Sequence, residues 1–157
     1  MTDDQTLLAE LLGQEDRLQF DRFDHDDAYG LGIMLVEAAR ADGAPLTIAL
    51  TRVQQILFHV ALPGTVLDND HWVRRKTATV YRFGHSSFYM GVSCRARGVA
   101  FAERDSVDPA EFAAHGGAFP VRVRGVGLVG TVAVSGLPQE DDHRLVVTIL
   151  ERFLAGA

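Results

Sequence analysis

Apolar positions change period several times along this chain, and each change marks the end of one element and the start of another. Residues 5 to 16 keep a helical spacing, and residues 25 to 42 keep a longer one in which Tyr29, Ile33, Val36 and Arg40 fall on one stripe. Asp24, Asp26 and Asp27 suit the positive N-terminal end of that second helix, and Asp42-Gly43 marks its stop. The period then drops to two. Leu46, Ile48 and Leu50 alternate with Thr47, Ala49 and Thr51, and Ile56, Phe58 and Val60 alternate with Leu57 and His59, so a short join between two strands predicts a hairpin.

After Pro63-Gly64, the cluster Asp68-Asn69-Asp70 offers caps for a helix reaching about Phe83, and Ser87 to Arg95 reads as a further helix. A small helix is expected near 108 to 114, before Gly116-Gly117. Val121 and Val123 then alternate with Arg122 and Arg124, Gly125 turns the chain into VGLVGTVAVSG, and Pro138 starts a final helix to about Phe153. Leu145, Ile149 and Arg152 are spaced to cover a sheet. The order predicts an α+β fold: one antiparallel sheet of about five strands built from two hairpins, with helices packed on it and no parallel βαβ repetition.

Composition narrows the class. A chain of 157 residues, 47% hydrophobic and 23% charged, has the core for one domain, residues 1 to 157, and no room for a second. The opening MTDDQTLLAELL has acids where a signal peptide needs positive charge, and no apolar run approaches the ~18 residues of a membrane span. A cytoplasmic protein without a membrane segment is the expectation. A lone Cys94 can neither staple the fold nor build a thiolate metal site, and reads as a small buried hydrophobe.

The net charge of −6 conceals a segregation. Residues 71 to 102 hold Arg74, Arg75, Lys76, Arg82, Arg95 and Arg97 and no acid, so the rest of the chain carries −12, and residues 1 to 30 alone carry −7. Two readings stay open: the opposite charges complement each other within the fold or across subunits, or the basic block holds a ligand.

Most familiar motifs fail on context. GVGLVG has G-x-G-x-x-G spacing, but TVAV follows it where a dinucleotide fold needs a helix, so its glycines are expected to permit a bulge or a close backbone approach. In VSGLPQEDDH the acids Glu140, Asp141 and Asp142 occupy the first helical turn and would repel phosphate. His143 follows Asp142, yet neighbours on a helix point in different directions. Ser86 and Ser87 sit in GHSSFYMG, where Phe88 replaces the second glycine of a nucleophile elbow. The six histidines show no metal-binding spacing, so no metal site and no catalytic residue are assigned.

The segment NDHWVRRKTATVYRFGHSS carries more. On a helix, Trp72, Arg75, Thr79, Arg82 and Ser86 share one stripe, and Val73, Lys76, Val80 and Phe83 share another that suits the core. An indole beside guanidiniums suits a flat ligand with carboxylates, because the ring stacks and the arginine forks grip the acids. His85 lies close to that row. The alternative is a solvated basic face with Trp72 buried. Tyr81, Phe83, Phe88 and Tyr89 interleave with arginines as in single-stranded nucleic-acid binders, but the surrounding −12 argues against nucleic acid.

The runs DNDHWVRRKTATVYRFGHSS and GGAFPVRVRGVGLVGTVAVSGLPQEDDH, with the spacing between them, resemble the haem-degrading domain family of GlcG and HbpS type, in particular its mostly cytosolic branch, over roughly residues 15 to 155. That resemblance implies a profilin-like α+β fold, assembly into homo-oligomers, and in some members binding of haem and release of its iron. His85, Met90 and His143 are the candidate axial ligands. The reading that results is a small-ligand-binding domain for haem or another planar carboxylate, held by Trp72, Arg75, Lys76, Arg82, His85 and Ser86, with His85 and His143 as cofactor contacts. A non-catalytic homo-oligomeric interaction module without haem chemistry is the alternative.

Overall fold

The computed structural model describes residues 2–104 and 106–156. Its first helix, α1 (Asp3–Arg17), starts at a reciprocal cap: Thr2 Oγ1 accepts from Gln5 N, and Gln5 Oε1 accepts from Thr2 N. Helix α2 (His25–Ala41) begins on the same device between Asp24 and Asp27. Strands β1 (Thr47–Arg52) and β2 (Gln55–Ala61) form the first hairpin, α3 (Leu67–Phe83) and α4 (Ser87–Arg97) follow, β3 (Ala118–Val123) and β4 (Gly127–Ser135) form the second hairpin, and α5 (Gln139–Leu154) closes the fold. Of the acids and amide expected to cap α3, Asn69 does so, accepting Val66 N on Oδ1 at 2.9 Å.

Among the described residues the strands make one four-stranded antiparallel sheet in the order β2-β1-β4-β3. The α+β architecture is as the sequence predicts, with four strands in place of about five. A single parallel bridge from Phe20 to Val123 adds a fifth partial contribution beside β3. The small helix expected near 108 to 114 is instead a turn, in which Asp108 O accepts from both Glu111 N and Phe112 N. A short 3-10 turn at Phe101–Glu103 precedes it.

Alternation along β1 sorts the two faces. Leu46, Ile48 and Leu50 are fully buried against Leu31 and Leu35 of α2 and Ile149 and Leu150 of α5. On the other face, Ala49, Ala118 and Ala133 are small enough to let α3 lie close on Val73 and Val80. Gly32 belongs to the first layer for a steric reason: a Cβ there would stand 2.5 Å from the Phe58 ring of β2. The stripes read from sequence are shifted in both covering helices. In α2 Tyr29 is 62% exposed and Arg40 is exposed, and in α5 Arg152 is exposed while Val146, Ile149 and Leu150 face the sheet. Helix α1 packs on α4 through Leu11, Phe88 and Val92. No helix among the described residues is long and apolar enough to cross a membrane.

Candidate functional site

Helix α3 presents residues to both of its flanks, and the sequence-predicted ligand set is divided between them. Trp72 and Arg75 stay together: the Arg75 guanidinium lies 4.2 Å above the indole, and His115 meets that indole edge-on at 4.9 Å. They line a cavity of about 390 Å³ with Phe101 and Phe112. The chain from 108 to 115 lies over this flank. Thr79 Oγ1 donates to Ala113 O at 2.9 Å and accepts from Ala113 N at 3.1 Å, and Arg75 Nη1 donates to Pro109 O at 3.3 Å. The stripe predicted to face a ligand is thus largely roofed by a loop whose course no helical spacing reveals.

The other predicted contacts go elsewhere. Lys76 is 2% exposed, and its Nζ donates to Gly116 O (2.9 Å), Val134 O (2.5 Å) and Asp142 Oδ2 (3.4 Å), so all three donors are used within the fold. Ser86 is fully buried and caps α4, accepting Tyr89 N at 3.1 Å. His85 turns to α1, with Nδ1 2.9 Å from Glu15 Oε1 and its ring 4.4 Å from Tyr89. Arg82 lies over the rings of Phe83 and Phe112 and donates to Ser106 O at 3.2 Å. His143 is 5% exposed between Phe88 and Phe119, and Nε2 pairs with Gln14 Oε1 at 2.8 Å. Burial pushes its imidazole down to about 4, so it is neutral near pH 7. The six expected ligand contacts and His143 therefore do not converge on one pocket.

A larger concavity is on the opposite flank of α3. A cleft of about 720 Å³ runs between that helix and the β1–β2 hairpin, with Ala49, Ile56, Val73 and Ala78 on its walls. Arg74 and Arg82 line it from α3, and His59 lines it from β2 with Nε2 2.6 Å from Asp70 Oδ1. Tyr81 sits against it at the head of a hydroxyl chain: its OH is 2.7 Å from Thr51 Oγ1, which is 2.8 Å from Thr131 Oγ1. Burial raises the Tyr81 phenol above its ordinary value, so it stays protonated. Of the predicted contacts only Arg82 reaches this cleft. His59, Arg74 and Tyr81, which line this cleft, are not among the contacts expected from the sequence, and a helical spacing on α3 alone does not bring β2 beside it.

Part of the charge segregation is spent inside the fold. Arg95 grips Asp4 through Nε and Nη2 at 2.8 to 3.2 Å, and Arg122 Nη2 lies 3.4 Å from Glu15. Asp142 Oδ1 accepts Leu137 N at 3.1 Å, placing a carboxylate at the start of α5 as the acidic first turn predicts. Among the described residues no cluster of three His, Cys, Asp or Glu side chains is placed to hold a metal ion.

The profile of the family described as haem degrading protein HbpS-like matches residues 23–151. A UPF0303 protein of Streptomyces coelicolor is 55% identical over 147 residues, 94% of this chain and 93% of the relative. The crystal structure of the Ybr137w protein superposes with a TM-score of 0.87 at 36% identity, covering 95% of this chain and 88% of that one. That of a PduOC–haem complex shares the fold, with a TM-score of 0.70 at 18% identity over 82% of this chain and 93% of its own. The chain belongs to the HbpS-like family of haem-degrading proteins.

Proposed function

We propose that this member of the HbpS-like family binds haem, or another planar molecule bearing carboxylates, in the cleft between α3 and the β1–β2 hairpin. The observation that carries the reading is the cleft itself: about 720 Å³, apolar on its walls, lined by two arginines of one helix. Ligand sites fall in the range of ~300–1,000 Å³ and combine apolar walls with a few orienting polar groups. Arg74 and Arg82 would take the carboxylates, which guanidinium forks bind well. Haem would bring iron-centred chemistry, and the donor types it uses are present: the His59 imidazole, held by Asp70 in the pairing that orients metal-binding histidines, and the Tyr81 phenol. The PduOC–haem complex, built on the same fold, supports haem as the first ligand to test.

Titration of the purified chain with haemin tests the reading. A saturable Soret shift is expected, weakened about tenfold by Arg74→Ala, the loss that one charge-assisted hydrogen bond of ~1.5 kcal/mol implies. His59→Ala or Tyr81→Phe should move the Soret maximum. Arg75→Ala and His85→Ala, which alter the other flank of α3 and the α1 contact, should titrate as the unaltered chain does. A featureless titration, or equal curves for Arg74→Ala and the unaltered chain, would remove the proposal.

A further inference from the structure

The roofed flank of α3 encloses a space of its own, apart from the cleft. Its volume of about 390 Å³ is roughly half that of the cleft and falls within the ~300–1,000 Å³ of small-molecule sites. Backbone contacts hold the roof in place. Thr79 Oγ1 pairs with both the N–H and the carbonyl of Ala113, and Gly91 of α4 lets the next residue approach, because a Cβ there would overlap the Ala114 carbonyl. The roof is thus tied down without side chains filling the space beneath it, which stays open between Cys94, Ala100, Phe101 and Phe112.

The charge on this apolar lining is one-sided. Arg75, Arg95 and His115 contribute to it, and among the described residues no carboxylate does. Arg95 is gripped by Asp4, whereas Arg75 has no acid partner among the described residues. The hydrogen bonds that Arg75 makes are long: Nε donates to His71 O at 3.4 Å and Nη1 to Pro109 O at 3.3 Å, against ~2.7–3.2 Å for a good N–H···O contact. Its Nη2 donates to nothing among the described residues.

The guanidinium is nonetheless positioned, because it lies 4.2 Å above the Trp72 indole. A planar fork that is held in place and short of acceptors matches a carboxylate, which it can bind through two parallel hydrogen bonds. His115 registers the same uncompensated positive field: burial, then the Lys76 and Arg75 charges, depress its imidazole below the ordinary 6.5.

We propose that this cavity is a second ligand site, which takes a small apolar monocarboxylic acid with its carboxylate on Arg75 and its hydrocarbon body among Cys94, Phe101 and Phe112. One acid group is selected because Asp4 already occupies Arg95, which leaves a single free fork on the lining. An apolar body is selected because the remaining walls offer it burial and offer a polar body few partners. The inference does not depend on which molecule the cleft takes.

Titration of the full chain with octanoate, followed by calorimetry and by the emission of Trp72, tests this, with octanamide as the uncharged comparison. Octanoate should bind saturably and change the emission, and octanamide should bind at least about tenfold more weakly, a difference of ~1.4 kcal/mol. Arg75→Gln should bring octanoate down to the level of octanamide, so that the ratio of the two affinities falls to about one, which a loss of packing alone would not produce. Cys94→Met, which takes up cavity space and keeps every charge, should weaken both molecules alike. No saturable binding of octanoate by either method, octanamide bound as tightly as octanoate, or a ratio that Arg75→Gln leaves in place would each overturn the proposal. Should Arg75→Gln fail to fold, the octanamide comparison on the unaltered chain and the Cys94→Met titrations still decide it.

Discussion

Lys76 Nζ stands 3.4 Å from Asp142 Oδ2 with each side chain 3% exposed, a buried ion pair that joins α3 to the first turn of α5. The other two ammonium protons go to Gly116 O and Val134 O, so one side chain ties the entry to β3, the end of β4 and two helices. Gly117 makes room for it: φ is 134°, and a Cβ would lie 2.5 Å from Nζ. Removing one partner of such a pair leaves buried polar groups without compensation and costs about 3–5 kcal/mol, whereas apolar replacement of both is often neutral or stabilising. Lys76→Met should therefore lower stability by about that amount in urea unfolding, and Lys76→Met with Asp142→Leu should recover much of it. A single variant as stable as the unaltered chain would show the pair to be incidental.

The same region predicts an unusual response to acid. Burial pushes Asp142 up to about 6 from its ordinary 3.8, although Lys76 pulls the other way, and it pushes His143 down to about 4 from 6.5. A raised carboxyl contributes stability that is complete below about 3.8 and is lost as pH rises through about 6. A depressed imidazole contributes stability that is complete above about 6.5 and is lost as pH falls through about 4. Both displacements are large, each worth about 3 kcal/mol, and their opposed pH dependences nearly cancel between pH 4 and 6. Relative to the unaltered chain, His143→Asn should gain stability on acidification across that window and Asp142→Asn should lose it. Parallel pH profiles of unfolding free energy for the two variants would contradict the assignment.

The sequence shows the element order, both hairpins and the five longer helices, because period and caps are local signals. What it does not show is where the segment from 108 to 115 travels. That segment covers the Trp72 and Thr79 stripe, so residues expected to face a ligand face a loop, and the open cleft lies on the opposite flank at Arg74, Ala78 and Tyr81. Lys76 was legible in one respect: its core-facing spacing with Val73 and Val80 is observed, and burial of that stripe removes it from ligand contact. The shifted stripes of α2 and α5 have the same origin. Tyr29 and Arg152 lie at helix edges where an aromatic or aliphatic portion suits the pattern, but the sheet takes the adjacent face.

Helix α1 is held by charge at two depths, which should differ sharply in energy. Glu15, 3% exposed, accepts from His85 Nδ1 and Ser86 N and lies beside the Arg122 guanidinium, whereas the Arg95–Asp4 pair is in water at the other end of the helix. Glu15→Ala strips a buried partner from three donors and should cost about 3 kcal/mol or more, while Arg95→Ala, at an exposed pair, should cost under ~1 kcal/mol and less still in high salt. Urea unfolding at low and high salt checks both. Equal losses would mean that α1 is held by Leu11, Phe88 and Val92 alone. Because Arg95 and Arg122 find their acids within the chain, raising salt should leave any self-association undiminished.

The only tryptophan of the chain reports on its neighbours without any label. His115 meets the Trp72 indole at 4.9 Å, and burial, then the Lys76 and Arg75 charges, lower its imidazole below the ordinary 6.5. A protonated imidazole in contact with an indole quenches its emission, so Trp72 fluorescence should fall on acidification with a midpoint below 6.5. Arg75→Ala removes one of the two repelling cations, and the midpoint should move upward toward 6.5. His115→Gln should abolish the transition altogether. A midpoint above 6.5, or one that stays in place when Arg75 is removed, would mean that the guanidinium over the indole does not govern the charge state of this imidazole.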